Sequence, residues 1–474
     1  MAMPRREGLL LLLLVFSLPS IMAATYEDES REGRQTEDWE EHRGGRGGLF
    51  LLRNVKQVVN TDAGEVKVYR GCRRKGAFAP MHVGLIRMEP QTLFIPQYID
   101  ASLILFVRKG DMKIGWIYKD ELMEKELRMG DVYRIPAGAA FYIVNTGKTQ
   151  RLQIICSIDT SESLGAGLFQ SFSIGGGMHP KSVLAGFDIK TLTAAFNVSA
   201  EELCAIMGRQ KGGPIIFVKN PDQPRKWADL MTLKHKQRRA QMAWDEDDEE
   251  ESGPDQEQTS IWAWRKLLNA MIGTENKGRK SYAVKSPDSY NLYERDPDFK
   301  NDYGWSVAVY QDDYSPLGSS SIGVYLVNLT AGSMMAPHLN PTATEYGIVL
   351  KGSGSIQVVF PNGTSAMNAK VKEGDVFWIP RYFPFCQIAS LSGHMEFFGF
   401  TTSARHNRPQ FLVGQSSILE TMSGPEMAMA FDTSEESFRE FVAAQKESII
   451  LPAWSMAPSM AGRESEIPTS VGEI

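Results

Sequence analysis

The 474-residue sequence contains few cysteines, which limits the kind of fold it can have. The four cysteines are Cys72, Cys156, Cys204 and Cys386. Secreted scaffolds that depend on disulfides carry a far higher density of cysteine. We therefore expect a fold stabilised by a hydrophobic core, in which a single disulfide bridge is possible. We expect Cys156, in the apolar stretch QIICSI, to pack in that core.

The chain also lacks a surplus of basic residues. Its 51 Lys and Arg residues against 57 Asp and Glu residues give a net charge of −6. A whole-chain nucleic-acid binder shows the opposite imbalance, so no nucleic-acid partner is expected. The nucleophile elbow, the phosphate-binding loop, the zincin helix and the dinucleotide fingerprint, which mark common enzyme classes, are missing as well.

Long apolar runs are confined to the beginning of the chain. Two arginines precede the apolar residues Leu9–Leu18, and small residues follow at Ala23 and Ala24. This order is typical of a secretory signal peptide, which we predict over residues 1–23, with cleavage at Ala23 or Ala24 left open. The predicted mature protein enters the secretory pathway without a membrane anchor. Three N-glycosylation sequons fit this compartment, at Asn197, Asn328 and Asn362.

What the chain does contain is an internal repeat. Four segments recur in the same order at an offset of about 240 residues, which is the size of a domain with its connection. The pairs are GDVYRIP (130–136) with GDVFWIP (374–380), EVKVY (65–69) with SVAVY (306–310), LILFVRKG (103–110) with EYGIVLKG (345–352), and AAFNVSAEEL (194–203) with MAFDTSEESF (429–438). The repeat predicts two copies of one domain.

Each copy consists of short apolar runs separated by Gly, Pro, Asn and Asp, which predicts an antiparallel β-sandwich or barrel. Helical sequence follows each barrel, with Ser199 and Ser434 as predicted N-caps. Between the copies, WDEDDEEESGPDQE (244–257) predicts a solvated acidic linker, and Ser260–Ile272 an amphipathic helix. The predicted organisation is a signal peptide (1–23), a polar segment (24–47), a first barrel with its arm (48–210), a linker (211–284), a second barrel with its arm (285–455) and a tail (456–474).

Candidate functional residues lie in the second copy. His338 and Asn340 are two residues apart, so both side chains lie on the same face of a strand. Glu345 follows on the next strand, and Cys386 comes after a proline-containing turn. If these strands are neighbours, His338 and Cys386 converge inside the barrel, where an imidazole and a thiolate suit copper or zinc. The alternative is structural: His338 hydrogen-bonds Glu345, and Cys386 is a buried thiol.

The first copy has lost these residues. In register it carries Pro96, Tyr98, Leu103 and Tyr142 in place of His338, Asn340, Glu345 and Cys386. We therefore expect its barrel to serve architecture rather than metal chemistry.

The spacing of Gly332, His338, Asn340, Glu345 and Gly352 resembles the first motif of the cupin superfamily, with its second histidine replaced by asparagine. The segments Gly374–Pro380 and Gly130–Pro136 resemble the start of the second motif. With the two-copy plan, the signal peptide, the helical arms and the segment FFGFTTSARHNRPQFLVG, the chain resembles a vicilin-like seed storage globulin. The resemblance implies a mainly β fold of two tandem cupin (jelly-roll) barrels, each followed by a short α-helical arm.

The resemblance further implies a homotrimer clasped by the arms, transport to the protein storage vacuole, and breakdown at germination. It also implies copper or a small anion in the C-terminal barrel. The predicted metal residues are His338, Cys386 and Glu345, and Asn340 and Tyr346 are predicted to line the pocket. From the sequence alone, Arg405 and Arg408 are candidates for meeting an anion, and the alternative is that they are surface or interface residues.

Three functions stay open from the sequence. The first is a nutrient reservoir that needs neither catalysis nor a cofactor. The second is a metal-dependent cupin enzyme that resembles germins, such as a superoxide dismutase or an oxidase, although catalytic metal sites usually have three protein ligands. The third is a binding protein that holds a small ligand in the barrel. An extracellular location stays open beside the vacuole.

Overall fold

The computed structural model describes residues 48–218 apart from 72, 75–76, 79–80, 119–120 and 165–167, and residues 288–453 apart from 406. The predicted signal peptide, polar segment, acidic block, amphipathic linker helix and tail lie outside the described residues. In the described part, no helix is both long enough and apolar enough to cross a membrane.

The described chain forms two antiparallel β-barrels, which confirms the predicted fold class. The first barrel consists of β1 (Val55–Thr61), β2 (Gly64–Tyr69), β3 (Arg73–Arg74), β4 (Ala77–Phe78), β5 (Met81–Met88), β6 (Thr92–Ile99), β7 (Ser102–Lys109), β8 (Met112–Tyr118), β9 (Glu121–Leu127), β10 (Asp131–Ile135), β11 (Phe141–Asn145), β12 (Leu152–Asp159), β13 (Ser171–Ser173) and β14 (Ile215–Phe217). Strand β14 lies in the predicted linker but pairs with β6, so the first barrel extends to Phe217.

The second barrel repeats this plan. The strands of the second copy are β15 (Tyr290–Asn291), which joins the first barrel's sheet, and then β16 (Phe299–Asn301), β17 (Gly304–Val309), β18 (Gly323–Leu329), β19 (Ser333–Met335), β20 (His338–Leu339), β21 (Glu345–Val359), β22 (Ser365–Lys372), β23 (Val376–Ile379), β24 (Phe385–Ala389), β25 (Met395–Thr401), β26 (Gln410–Phe411) and β27 (Ile450–Pro452). In β22, Met367, Ala369 and Val371 are buried while the residues between them are exposed. This alternation is typical of a strand with one face on the core and one in water.

The two barrels exchange edge segments. Strand β15, at the start of the second copy, pairs with β10 of the first barrel. In return, the Leu52 amide donates to Val376 O and the Trp378 amide donates to Phe50 O, so the start of the first copy extends β23 of the second barrel. Strands β10 and β23 lie within the repeated segments 130–136 and 374–380, so each copy receives the other at the same edge.

Aromatic packing joins the barrels between these exchanged edges. The rings of Phe106 on β7 and Phe398 on β25 stack with centroids 4.0 Å apart and an interplanar angle of 9°. Every residue of β25 is buried. A strand buried on both faces reads as a continuous apolar run instead of an alternating one, which is why FFGF shows no period of two.

Short helices follow each barrel. They are α1 (Ile189–Phe196) and α2 (Ala200–Met207) after the first, and α3 (Ile418–Thr421), α4 (Pro425–Ala430) and α5 (Glu435–Ala443) after the second. Ser199 Oγ accepts from the Glu202 amide at 3.1 Å, and Ser434 Oγ accepts from the Ser437 amide at 3.2 Å. Both predicted N-caps are confirmed.

Candidate ligand cavity in the C-terminal barrel

The second barrel contains a cavity of ≈ 410 Å³ that is partly open to the surface. Such a volume lies within the range of about 300–1,000 Å³ that small-molecule sites occupy. Its walls come from β16 to β21 and from β24 to β26. Most of the lining surface is apolar, and it includes Val307, Val327, Met335, Phe397, Phe411 and Ile449. A small polar group, which includes His338, Asn340, Glu345 and Gln387, interrupts this apolar lining.

His338 is buried in the cavity wall. Its Nδ1 atom lies 2.7 Å from Ala336 O, and its ring contacts Phe385 and Phe411 at centroid distances of 4.1 and 5.2 Å. Burial disfavours the charged ring and lowers the pKa of His338 to about 4, although the bond to Ala336 acts in the opposite direction. The imidazole is therefore neutral at physiological pH, with Nδ1 protonated, because a carbonyl oxygen only accepts.

Glu345 lies at the beginning of β21 and is also buried. Asn340 Nδ2 donates to Glu345 Oε2 at 2.9 Å, and Gln387 Nε2 donates to Glu345 Oε1 at 3.2 Å. The Tyr325 hydroxyl donates to Tyr346 O at 3.3 Å and also lies within hydrogen-bonding reach of the Glu345 carboxyl group. Burial raises the pKa of Glu345 to about 7, against the effect of these three groups.

The amides around Glu345 form an ordered chain of donors. Thr342 Oγ1 donates to Asn407 Oδ1 at 2.8 Å, and Asn407 Nδ2 donates to Asn340 Oδ1 at 2.8 Å. Asn340 then presents its NH₂ group to Glu345. The asparagine that replaces the second histidine of the cupin motif thus positions the carboxyl group, and the predicted pairing of His338 with Glu345 by a direct hydrogen bond is absent from the described contacts.

The structure separates two of the predicted site residues from the cavity. His338 lies opposite Phe385 on the neighbouring strand β24, so Phe385 and Gln387 share the face of His338 and Cys386 points to the other face. Tyr346 likewise follows the inward-facing Glu345 and is fully buried outside the cavity. Burial raises the pKa of the Cys386 thiol to about 11, which suits a packed apolar thiol.

Gln387 is the functional residue that the sequence reasoning missed. The residue that lines the cavity from β24 is Gln387, one position beyond the predicted Cys386. A signal was present: in FCQIA the polar amide stands among apolar residues, and burial of such an amide requires a partner. Among the described residues, no group of three or more His, Cys, Asp or Glu side chains is arranged to hold a metal ion. A copper or zinc site at His338, Cys386 and Glu345 stays a prediction.

Strand pairing shifts part of the predicted correspondence between the copies. Phe141 pairs with Gln97 in the first barrel, and the equivalent Phe385 pairs with His338 in the second. The counterpart of His338 is therefore Gln97, and the predicted match with Pro96 was wrong by one residue. By the same shift, Ile99 replaces Tyr98 as the counterpart of Asn340.

The predicted match of Leu103 in the first copy with Glu345 in the second copy is confirmed by strand pairing. Leu103 pairs with Ile135, and Glu345 pairs with Ile379, which are equivalent positions in the repeated motif. The interior of the first barrel is accordingly filled by Ile99, Leu103 and Ile143 where the second barrel has Asn340, Glu345 and Gln387.

The interiors of the two barrels also differ in where a glycine faces a larger side chain on the paired strand. Tyr325 lies opposite Gly399, and at the equivalent place in the first barrel Gly84 lies opposite Cys156. Cys156 is part of the core, as predicted, and burial raises the pKa of its thiol to about 12. A glycine on one strand thus makes room for the side chain opposite, and in the second barrel that side chain is the tyrosine that reaches Glu345.

Charged residues lie at the edge of the cavity. Arg295 forms ion pairs with Asp298 at 2.7 Å and with Asp313 at 3.0 Å. Arg408 also lies beside the cavity and is exposed, whereas Arg405 is exposed away from it. Of the two arginines considered for an anion, Arg408 is the one in a position to meet a ligand that enters.

The three sequons have different surroundings. Asn362 is exposed in the turn between β21 and β22, where its Oδ1 atom accepts from the Thr364 amide and hydroxyl. Asn197 is an exposed left-handed residue between α1 and α2. Asn328 is half-buried within β18, between two paired strands. Glycosylation at each position stays a prediction.

The raised pKa of Glu345 predicts an effect of Glu345→Gln on the pH dependence of stability. The carboxyl pKa is about 7 in the folded protein, against 4.5 for a free side chain. A pKa raised by folding stabilises the folded state fully below the unfolded value, and this contribution is lost as the pH rises through the folded value. As the pH rises from 4.5 to 7, we therefore expect the unfolding free energy of the wild type to fall by about 3 kcal/mol relative to that of Glu345→Gln, which does not titrate at this position.

Urea unfolding of both proteins over this pH range measures the difference. His338 is present in both proteins, so its titration cancels unless the substitution alters its surroundings. Stability curves of the two proteins that run parallel from acidic to neutral pH would contradict the prediction.

The comparisons with known proteins agree with this architecture. A family model described as "Cupin" matches residues 58–203 and 290–439. A vicilin-like seed storage protein of Arabidopsis thaliana is 52% identical over 426 residues, which cover 88% of this chain and 83% of the relative. Another vicilin-like seed storage protein of the same plant is 30% identical over 428 residues, which cover 85% of this chain and 74% of that relative.

Solved structures show the same fold. Vicilin from Corylus avellana superposes with a TM-score of 0.68 at 22% identity, covering 86% of this chain and 100% of the other. Vicilin from Solanum melongena superposes with a TM-score of 0.69 at 20% identity, covering 87% and 100%, and its structure is described as having different anionic ligands in structurally similar pockets. The chain belongs to the cupin family and, within it, to the vicilin-like seed storage proteins.

Proposed function

We propose that this protein is a seed storage globulin, a nutrient reservoir without obligate catalysis that passes through the secretory pathway to the storage vacuole. The observation that carries the proposal is the 52% identity to a vicilin-like seed storage protein over 88% of the chain. Quantitative mass spectrometry of tissues tests it. The protein should be abundant in mature seed and fall during germination, and trace amounts there would contradict the proposal.

We also propose that the arms assemble the chain into a homotrimer. Large apolar side chains are exposed on both arms: Phe187, Ile189, Phe196 and Ile206 on the first, and Met422, Met429, Phe431 and Phe441 on the second. Exposed apolar surface of this extent marks an interaction site. A contact between the first arm of one chain and the second arm of the next is heterologous, and such contacts generate a closed ring when the rotation between neighbouring chains closes.

Phe441→Glu is expected to break this assembly. Phe441 is 71% exposed on α5, so a charge there costs the isolated chain little and is buried at the arm contact in the trimer. Analytical ultracentrifugation should show the mass of about three chains for the wild type and of a single chain for the variant. Leu391→Glu, at a 69% exposed position in the turn between β24 and β25, is the matched control and should keep the mass of the wild type. A wild-type protein of single-chain mass at micromolar concentration would contradict the trimer.

The cavity supports a second, compatible role: we propose that it binds a small organic ligand. Its volume of ≈ 410 Å³, its apolar walls and its few buried polar groups are typical of ligand sites. Copper stays a prediction, and so does a small anion, which Arg408 would meet at the edge of the cavity. Native mass spectrometry of protein purified from tissue distinguishes a metal, an organic ligand and an empty cavity.

The metal-dependent enzyme stays the alternative function, and it makes a separate prediction. It requires stoichiometric copper or manganese in the purified protein and an activity that is lost in His338→Ala. Elemental analysis of protein from seed therefore separates the enzyme from the storage globulin.

A further inference from the structure

Two acceptors in the cavity wall lack a donor among the described residues. Gln387 must turn its NH₂ group toward the Glu345 carboxyl group, and its own Oε1 atom then has no hydrogen-bond partner among the described residues. Gln387 is 1% exposed and lines the cavity. Leaving a buried acceptor unpaired is unfavourable, so this atom calls for a donor from a ligand or from water.

His338 adds a second acceptor to the same wall. Because Nδ1 carries the proton that is donated to Ala336 O, the Nε2 atom holds a lone pair. This atom has no hydrogen-bond partner in the described part of the chain. His338 is paired with Phe385, two residues before Gln387 on β24, so both side chains lie on the same inward face.

Glu345 completes the group and gives it a charge preference. Asn340 and Gln387 both present NH₂ groups to the carboxyl oxygens, and the chain of donors from Thr342 through Asn407 ends there. This arrangement is complementary to a carboxylate, which only accepts. A buried carboxylate without a cation is unfavourable, so a positive group beside it is stabilised.

We propose, on the basis that the cavity is a ligand site, that it takes a small ligand with a primary ammonium group on an apolar body. The ammonium group lies against Glu345, His338 Nε2 and Gln387 Oε1, and the body lies between Val307, Val327 and Phe397. An ammonium group has three donors for these acceptors, whereas a hydroxyl group has one. A carboxylate at this place would face acceptors and a like charge, so an anion is restricted to the edge of the cavity near Arg408.

Calorimetric titration of the full chain with three matched probes tests the proposal. Phenethylamine, phenethyl alcohol and hydrocinnamate share one phenylethyl body and differ only in the polar end. We expect phenethylamine to bind at least about tenfold more tightly than hydrocinnamate, since a charge-assisted hydrogen bond contributes about 1.5–3 kcal/mol. Glu345→Gln and Gln387→Leu should each weaken phenethylamine binding by about tenfold or more.

Two variants outside the cavity are the matched controls. Glu396→Gln changes a buried carboxyl group that contacts Tyr293, and Gln357→Leu changes an exposed glutamine on β21. Both should bind phenethylamine like the wild type, and thermal melting confirms that each variant is folded. Because Gln387→Leu leaves Glu345 in place, it tests the acceptor site even if Glu345→Gln fails to fold.

The outcomes separate the ligand class from the cavity's role. Hydrocinnamate binding as tightly as phenethylamine, or phenethylamine binding that neither cavity variant weakens, overturns the ammonium site while leaving a ligand cavity. No binding of any probe, together with an empty cavity in native mass spectrometry, overturns both. A preference for phenethylamine that both cavity variants remove supports both.

Discussion

Gly399→Ala is expected to destabilise the second barrel by at least about 3 kcal/mol, because the new methyl group has no space. A Cβ atom at this position lies 2.1 Å from Tyr346 O and 2.2 Å from the Tyr325 hydroxyl oxygen. The first contact is with the backbone of the paired strand, so a change of side-chain rotamer cannot relieve it. Chemical denaturation measures the loss, and loss of phenethylamine binding would report the displacement of Tyr325 from Glu345.

Gly393→Ala is the matched control for this prediction. It introduces the same methyl group six residues earlier, before β25, where nothing lies within 4 Å of the new atom. Its effect should stay within about 0.5 kcal/mol. The double variant Gly399→Ala with Tyr325→Phe should remain unstable, because the backbone contact with Tyr346 persists. Recovery in that double variant would show that the hydroxyl contact alone caused the loss.

Phe398→Ala is expected to cost about 3–5 kcal/mol, the usual range for a buried phenylalanine. Phe398 is 0% exposed and stacks on Phe106 of the first barrel, and it also meets Phe400 edge-on at 5.0 Å. Because the stack joins the barrels, we expect its loss to uncouple them, so that calorimetry shows two unfolding transitions in place of one.

A double-mutant cycle isolates the stacking contribution. Phe106→Ala and Phe398→Ala together should cost less than the sum of the two single changes, with a coupling energy of about 0.5–1.5 kcal/mol. Phe217→Ala is the control, since Phe217 is 51% exposed on β14. Additive losses for the Phe106 and Phe398 pair would contradict a direct energetic link between the barrels.

The repeat made most of the fold predictable. GDVYRIP and GDVFWIP predicted two copies of one domain, and both motifs lie at the start of equivalent strands, β10 and β23. The helix starts at Ser199 and Ser434 were predictable because an N-cap depends on a hydrogen bond within three residues. His338 and Glu345 were predictable for a similar reason, since the short spacing of the first cupin motif stays recognisable although asparagine replaces its second histidine.

The wrong predictions concern which face of a strand a residue lies on and how the two copies align. Cys386 was predicted to face inward because the turn before β24 gives no sign of where pairing begins. Pairing of His338 with Phe385 decides it, and a shift of one residue moves every side chain to the other face. The mismatch of Pro96 with His338 has the same origin, since connections of unequal length hide the register.

The sequence by itself determined the two barrels, their helical arms and the position of a degenerate polar site in the second copy, because these depend on periodicity and on short-range spacing. Tertiary structure alone decided that Gln387 lines the cavity, that Gly399 admits Tyr325 to Glu345, and that each barrel lends an edge segment to the other. These features depend on pairing between segments far apart in the chain. Such pairing follows from the packing of the whole core, and no local pattern records it.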